Sequence, residues 1–236
     1  MAHIHSFAPV AAAHARVLVL GTMPGKASLQ AQQYYAHPRN GFWPMMGALL
    51  GFDARAPYAE RTGQLCGRGV ALWDVLQSCT RSSSLDSNID TASIVVNDFA
   101  AFFAAHPQVH TVCFNGSLAA QLYRRHVQGP PLVQLRLPST SPAHASWTMA
   151  RKLAAWREVF DKVGMVTPGN TANIRSLLPT GCSPTGGSCR ADRRGKVPGV
   201  RRAFAAVERA SVRSPLRYFG GTECTDPSLG GRESLS

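Results

Sequence analysis

Four short strand-like segments, closed by turn signals and separated by stretches of helical character, restrict this chain to few architectures. Val17-Leu18-Val19-Leu20 ends at Gly21-Thr22-Met23-Pro24-Gly25, and Gly69–Val75, Thr111–Phe114 and Val133–Leu137 follow. A short continuous apolar run such as Val17–Leu20 reads as a buried strand. Between and after them, helices are predicted over Asn40–Leu50, Pro57–Leu65, Asn97–Ala105, Ser117–His126 and Ser146–Val163, while 77–93 reads as a polar loop. Strands alternating with helices give a sheet covered on both sides. The expected fold class is therefore α/β, a three-layer α/β/α domain around a central, mainly parallel four-stranded sheet. Ligands of such sheets bind beyond the C-terminal ends of the strands. Segments 21–28, 115–116 and 138–144 leave strand ends with polar or special residues, and are expected to meet segment 33–43 at one site.

The composition changes after Gly164. Residues 165–236 are dominated by Pro, Gly, Ser, Thr and Arg, as in Ser183-Pro184-Thr185-Gly186-Gly187-Ser188. Such a segment buries too little apolar area to offset its ordering entropy. The expected organisation is one folded domain over 1–164 and a basic, mostly disordered tail over 165–236, with at most a transient helix at Val200–Ala210. Residues 1–164 carry 14 Lys and Arg against 8 Asp and Glu, and the tail 11 against 5, so each holds half of the net charge of +12. The domain is basic without its tail, which favours a polyanion such as DNA or RNA as partner. The six cysteines show no CxxC spacing, so no metal is expected and reduced thiols are. Neither a signal peptide nor an apolar run of membrane-spanning length is present. The expectation is a cytoplasmic monomer that avoids membranes.

The segment Gln33-Tyr34-Tyr35-Ala36-His37-Pro38-Arg39-Asn40-Gly41-Phe42-Trp43 crowds rings and hydrogen-bonding groups just beyond the first strand. Phe42 and Trp43 read as core. Tyr34 and Tyr35 suit either packing or the stacking of a flat base. Asn40 suits a helix N-cap, a water-holding amide, or both. Gly21–Gly25 lacks the GxGxxG and GK[ST] spacings, so alone it is a tight turn. Asn115 follows a strand and precedes a helix, which fits a cap or an amide that reads the edge of a heterocycle. His37, His144 and the turn Pro138-Ser139-Thr140-Ser141-Pro142 suit phosphate contacts. Asp74 and Asp86 are the loop carboxylates expected nearest to the site, and each suits a cap or turn.

Taken together, GTMPG, YYAHPRNGFW, ALWDVLQSCTRSSSLDSNI, FNG and LPSTSPAHA resemble the uracil-DNA glycosylase superfamily, and most closely its hypoxanthine-DNA (deoxyinosine) glycosylase branch. The resemblance runs from about Arg16 to Val163 and does not include the tail. It implies a glycosylase that extrudes a deaminated base from single- or double-stranded DNA and hydrolyses its N-glycosidic bond without a cofactor. Asn40 matches the catalytic Asn of that branch. Tyr35 matches the aromatic on which the base stacks, with Gly21, Met23 and Pro24 opposite it, and Asn115 matches the amide that reads the base. His37, Ser139, Thr140, Ser141 and His144 would contact the DNA backbone. Two positions depart from the wider pattern. Met23 stands where many members carry an Asn or Asp that positions water, and Leu137 stands where uracil enzymes carry a His. The alternatives are a catalytically weak DNA-binding module of the same fold, and a uracil- or mismatch-specific glycosylase.

Overall fold

The computed structural model describes residues 2–83 and 86–166. In chain order the elements are β1 (Ala2–His5), β2 (Val17–Gly21), α1 (Lys26–Ala31), α2 (Phe42–Leu50), α3 (Tyr58–Gly67), β3 (Val70–Asp74), β4 (Leu76–Arg81), two short 3-10 turns (Asp86–Asn88 and Thr91–Ser93), β5 (Val95–Val96), α4 (Phe99–Ala105), β6 (Thr111–Asn115), α5 (Ser117–His126), β7 (Val133–Leu137) and α6 (Met149–Lys162).

Strands β3, β2, β6 and β7 form one sheet in that order, parallel throughout. Leu18 lies opposite both Ala71 and Val112, and Cys113 opposite Leu135. Every residue of β2, β3 and β6 is buried, as apolar strands covered on both faces must be. β7 is the edge, and its interspersed Gln134 and Arg136 suit that place. Rings show how the two faces are covered. Trp73 packs on Phe99 and Phe102, and both Phe99 and Phe114 meet Tyr123, which sets α4 and α5 on one side. Phe42 meets Trp156 and Trp43 meets Tyr58, which groups α2, α6 and α3 on the other. Helix α6 carries Leu153, Trp156, Val159 and Phe160 into the core at helical spacing. The Thr148 hydroxyl caps it by accepting from the Arg151 amide, a contact of about 1 kcal/mol.

The four expected strands and the α/β/α layering are present. The polar loop expected over 77–93 is not. Leu76–Arg81 forms β4, which pairs antiparallel with β1 on one side and β5 on the other. It buries Leu76 and Cys79 in the core, and hydrogen bonds hold its polar residues and its neighbours. The Ser93 hydroxyl accepts from the Thr80 amide at 2.7 Å, and buried Asn97 donates to the carbonyls of Asp74 and Leu76 at 2.8 and 3.1 Å. Helix α1 (Lys26–Ala31) is a second difference, because it was not among the expected helices. Met165, placed by composition with the tail, is buried against the domain: its amide reaches the Phe160 carbonyl and its sulfur accepts from Arg16 at 3.5 Å. The rest of the expected tail, 167–236, lies outside the described residues. No helix among the described residues is long and apolar enough to cross a membrane.

Candidate active site

The C-terminal ends of β2, β3 and β6 deliver Gly21, Asp74 and Asn115. Gly21 has no room for a side chain. A Cβ there would stand 2.4 Å from Asp74 Oδ1 and 3.0 Å from the Tyr35 hydroxyl. Only a glycine lets both groups come this close to the strand end. Asp74 is buried, and its other oxygen accepts from the Ser6 hydroxyl at 2.8 Å. The turn after Gly21 is held by backbone bonds from Val75 and Leu76 and by the guanidinium of buried Arg81, which donates to the Pro24 carbonyl. Thr22, Met23 and Pro24 are buried within this turn.

Tyr35 has φ of +56°, a left-handed backbone rarely adopted by an aromatic residue. Its ring stacks on Phe42 with centroids 4.1 Å apart and planes 22° apart. One ring face is thus covered, and the ring is only half-buried. Its hydroxyl accepts from Asn115 Nδ2 at 2.9 Å. Tyr34 is a core residue instead. It is buried, its hydroxyl reaches the Phe7 and Ala8 carbonyls, and its own carbonyl accepts from Trp43. Burial and the nearby Asp74 charge push its phenol far above the usual range, so it stays neutral.

The two asparagines are used differently. Asn115 Nδ2 donates to Tyr35 and, at 2.9 Å, to the Thr140 hydroxyl, while Oδ1 accepts from the Thr140 amide at 2.8 Å. Both amide hydrogens expected to read a base edge are therefore engaged with the protein. Asn40 Oδ1 accepts from the Phe42 amide at 3.0 Å, an i to i+2 turn just ahead of α2, and its Nδ2 makes no hydrogen bond to the described residues. Sequence alone left a cap and a water-holding role open. The N-cap position of α2 is Gly41, and the Asn40 side chain instead shapes the turn that leads into the helix.

The turn after β7 closes the site. The Gly41 amide donates to the Thr140 carbonyl at 3.0 Å, joining the Asn40 loop to residues 138–144. Thr140 is 1 % exposed, and its amide, carbonyl and hydroxyl all have protein partners, so it supports the turn rather than facing solvent. Ser139 and Ser141 are half-buried; each hydroxyl accepts from a backbone amide two residues on. His37 accepts from the Arg39 amide through Nδ1, which shapes the loop before Asn40. His144 lies 6.4 Å from the Trp147 ring, over which Arg151 is stacked at 3.9 Å. Nothing is described of the Asp86 side chain. Sequence reasoning missed Ser6, Arg81, Trp147 and Arg151, since each lies outside the loops the strand ends pointed to. Cys113 is no nucleophile, because burial pushes its thiol up to about 12.

These features define a class: an open parallel α/β domain whose strand-end loops assemble amides, hydroxyls and a ring into one polar site. The uracil DNA glycosylase superfamily model matches residues 8–163, and the chain belongs to that superfamily. It is a DNA glycosylase, a hydrolase of N-glycosidic bonds. A protein named hypoxanthine DNA glycosylase from Methanosarcina acetivorans is 32 % identical over 145 residues, covering 61 % of this chain and 89 % of the relative. Another of that name from Methanosarcina barkeri is 31 % identical over 157 residues, covering 66 % and 97 %. A Methanosarcina acetivorans protein solved by solution NMR, described as a candidate uracil DNA glycosylase, superposes with a TM-score of 0.60 at 29 % identity. That match covers 69 % of this chain and 99 % of the other.

Proposed function

We propose that this enzyme releases hypoxanthine from deoxyinosine in DNA, with Asn40 as the catalytic residue and Tyr35 as the platform for the extruded base. The observation that carries this proposal is the pairing of a half-engaged amide with a held ring. Asn40 gives one lone pair to the Phe42 amide at the start of α2. Tyr35, in a strained backbone conformation, is half-buried with its ring stacked on Phe42. The names of the two Methanosarcina relatives support hypoxanthine as the base.

Extrusion costs a few kcal/mol and is easiest at a mispaired base, while stacking on a ring returns roughly 1–3 kcal/mol. In the reaction the bond between C1′ and the base nitrogen breaks with both electrons going to the base. Water oxygen bonds to C1′, and one water proton ends on the departing base. An amide is a poor base, so Asn40 acts by holding the water on line rather than by removing its proton. We assign Asn115 the task of positioning Tyr35 and the Thr140 turn, since its amide hydrogens are already engaged there. We assign Ser139, Ser141, His37 and His144 contact with the DNA backbone.

The test is alkaline strand scission of duplexes that carry deoxyinosine, uracil, xanthine or thymine mismatches. Scission at deoxyinosine that is lost in Asn40→Ala is the expected outcome. Unchanged turnover in that variant removes Asn40 from the reaction. Absence of release from every base, with DNA binding intact, supports the second reading, a binding module. The buried Met23 at the position where many members place a water-directing side chain is what favours that reading.

A further inference from the structure

Gly41 follows Asn40 with φ of −79° and ψ of −2°, a backbone that any residue adopts. Space, not conformation, is what calls for glycine there. A Cβ at Gly41 would stand 2.5 Å from Met149 Cε and 3.0 Å from its sulfur. Met149 opens α6, and its half-buried thioether fills the place of the missing side chain. The Gly41 amide in turn donates to the Thr140 carbonyl at 3.0 Å. Thr140 belongs to a turn that α6 itself grips. Trp156 Nε1 donates to the Pro138 carbonyl at 2.9 Å, and Lys152 Nζ to the Ser141 carbonyl at 3.1 Å. Both contacts of Gly41 therefore trace back to one helix. Asn40 Oδ1 reaches across Gly41 to the Phe42 amide, so the Asn40 side chain moves when Gly41 moves.

We infer that Met149 is a positioning residue for the reaction: its thioether sets the spacing between α6 and the Asn40 loop, and so the place where the Asn40 amide holds water. The inference rests on the role proposed for Asn40 and adds to it the group against which that amide is registered. One hydrogen bond from Gly41 to Thr140 lets the loop pivot about it. A second contact on the same residue removes that freedom. An unbranched thioether suits the task, because it fills an irregular gap without strain. A displacement of about 1 Å at a reacting group costs about 10²-fold in rate, so a side chain that touches neither base nor water still governs turnover. The whole effect of Met149 on the rate passes through Asn40.

The experiment uses the full chain and a deoxyinosine duplex, with single-turnover rates measured across enzyme concentration. Met149→Ala is expected to lower the rate at saturation by about tenfold, a part of what a full ångström of misplacement brings. The half-saturating concentration should stay near that of wild type. Met149→Leu, of similar volume, should keep most of the rate. Gly41→Ala should lower it, because the added methyl drives the thioether aside. The double variant Gly41→Ala, Met149→Ala should recover much of both losses, since the methyl enters the vacated space. In an Asn40→Ala background, Met149→Ala should cost nothing further, whereas a general structural role lowers the rate by the same factor in both backgrounds. The Asn40 side-chain NH2 signal in an amide NMR spectrum, identified by its loss in Asn40→Ala, should shift in Met149→Ala and return in the double variant. Equal losses in the two backgrounds overturn the inference and leave Asn40 in the reaction, as does a double variant no faster than the slower single one. An Asn40→Ala protein that works at the wild-type rate defeats the proposed reaction instead. The NH2 signal then decides by itself whether Met149 places that side chain: an unmoved signal in Met149→Ala overturns the inference, and a shifted one upholds it.

Discussion

Asn115 and Asn40 carry the same side chain at two corners of one site, and they differ in what the protein leaves them to do. Asn115 is buried at a strand end and ties three chain segments together through Tyr35, Thr140 and β6. Asn40 is half-buried in a loop and gives one lone pair to the helix it precedes. An amide fully paired inside the protein adds stability and sets geometry. An amide with its NH2 group and a lone pair remaining is poised to hold a reactant. Asn40→Ala breaks this comparison most directly. Base release should fall by on the order of 10²-fold or more. Stability should fall by only about 1 kcal/mol, the net worth of one hydrogen bond. Turnover on a deoxyinosine duplex and a urea midpoint check both halves.

Asn115→Ala should show the reverse weighting. It removes the partner of the Thr140 amide and hydroxyl, and an unpaired buried polar group costs about 1–3 kcal/mol. A loss of about 2–3 kcal/mol in the denaturant midpoint is expected, with activity falling because Tyr35 and the 139–141 turn lose their tether. If the variant keeps its stability and loses only base discrimination, the amide reads the base after all.

Gly21→Ala sharpens the contrast from a third side. The added methyl would meet Asp74 Oδ1 at 2.4 Å, and that carboxylate is held from behind by Ser6. Overpacking of this kind costs about 1–3 kcal/mol. The methyl also meets the Tyr35 hydroxyl at 3.0 Å, so the ring must shift on its Asn115 tether. Removal of the Ser6 hydroxyl in a Gly21→Ala, Ser6→Ala double variant should restore part of the stability, because Asp74 then has room to turn. Thermal midpoints of the two variants measure the difference.

The parallel sheet was legible because its strands are buried on both faces, which writes an unbroken apolar run into Val17–Leu20 and Thr111–Phe114. The small antiparallel sheet was not. Gln77, Ser78 and Thr80 make β4 read as a loop, and the partners that satisfy it, Ser93 and Asn97, have no recognisable spacing from it. The site divides in the same way. Asn40, Tyr35 and Asn115 sit in local motifs, so their presence at a site was readable. How many of their hydrogen bonds the protein takes up depends on Thr140 and Phe42 in space, and only the fold reveals it. Lys152 looked like any basic residue on the polar face of an amphipathic helix. It is buried because α6 turns that position toward Ser141.

The smallest effect expected concerns that lysine in the free protein. Burial depresses its pKa in the folded state below the ordinary value of about 10.4. At pH below the folded value the buried charge carries its full cost in both the neutral and acidic ranges. In the window between the two values the unfolded chain binds more protons than the folded one, so stability from this group rises with pH. Lys152→Met removes the cost. The variant should therefore gain on wild type at neutral pH. The gain should shrink as pH rises through the folded value toward 10.4. Paired urea midpoints across that range read the difference between the two proteins, which cancels titrations common to both. A gain that grows with pH would mean that the ammonium has an anionic partner within the fold, and Lys152 would then join Asn115 among the fully engaged groups.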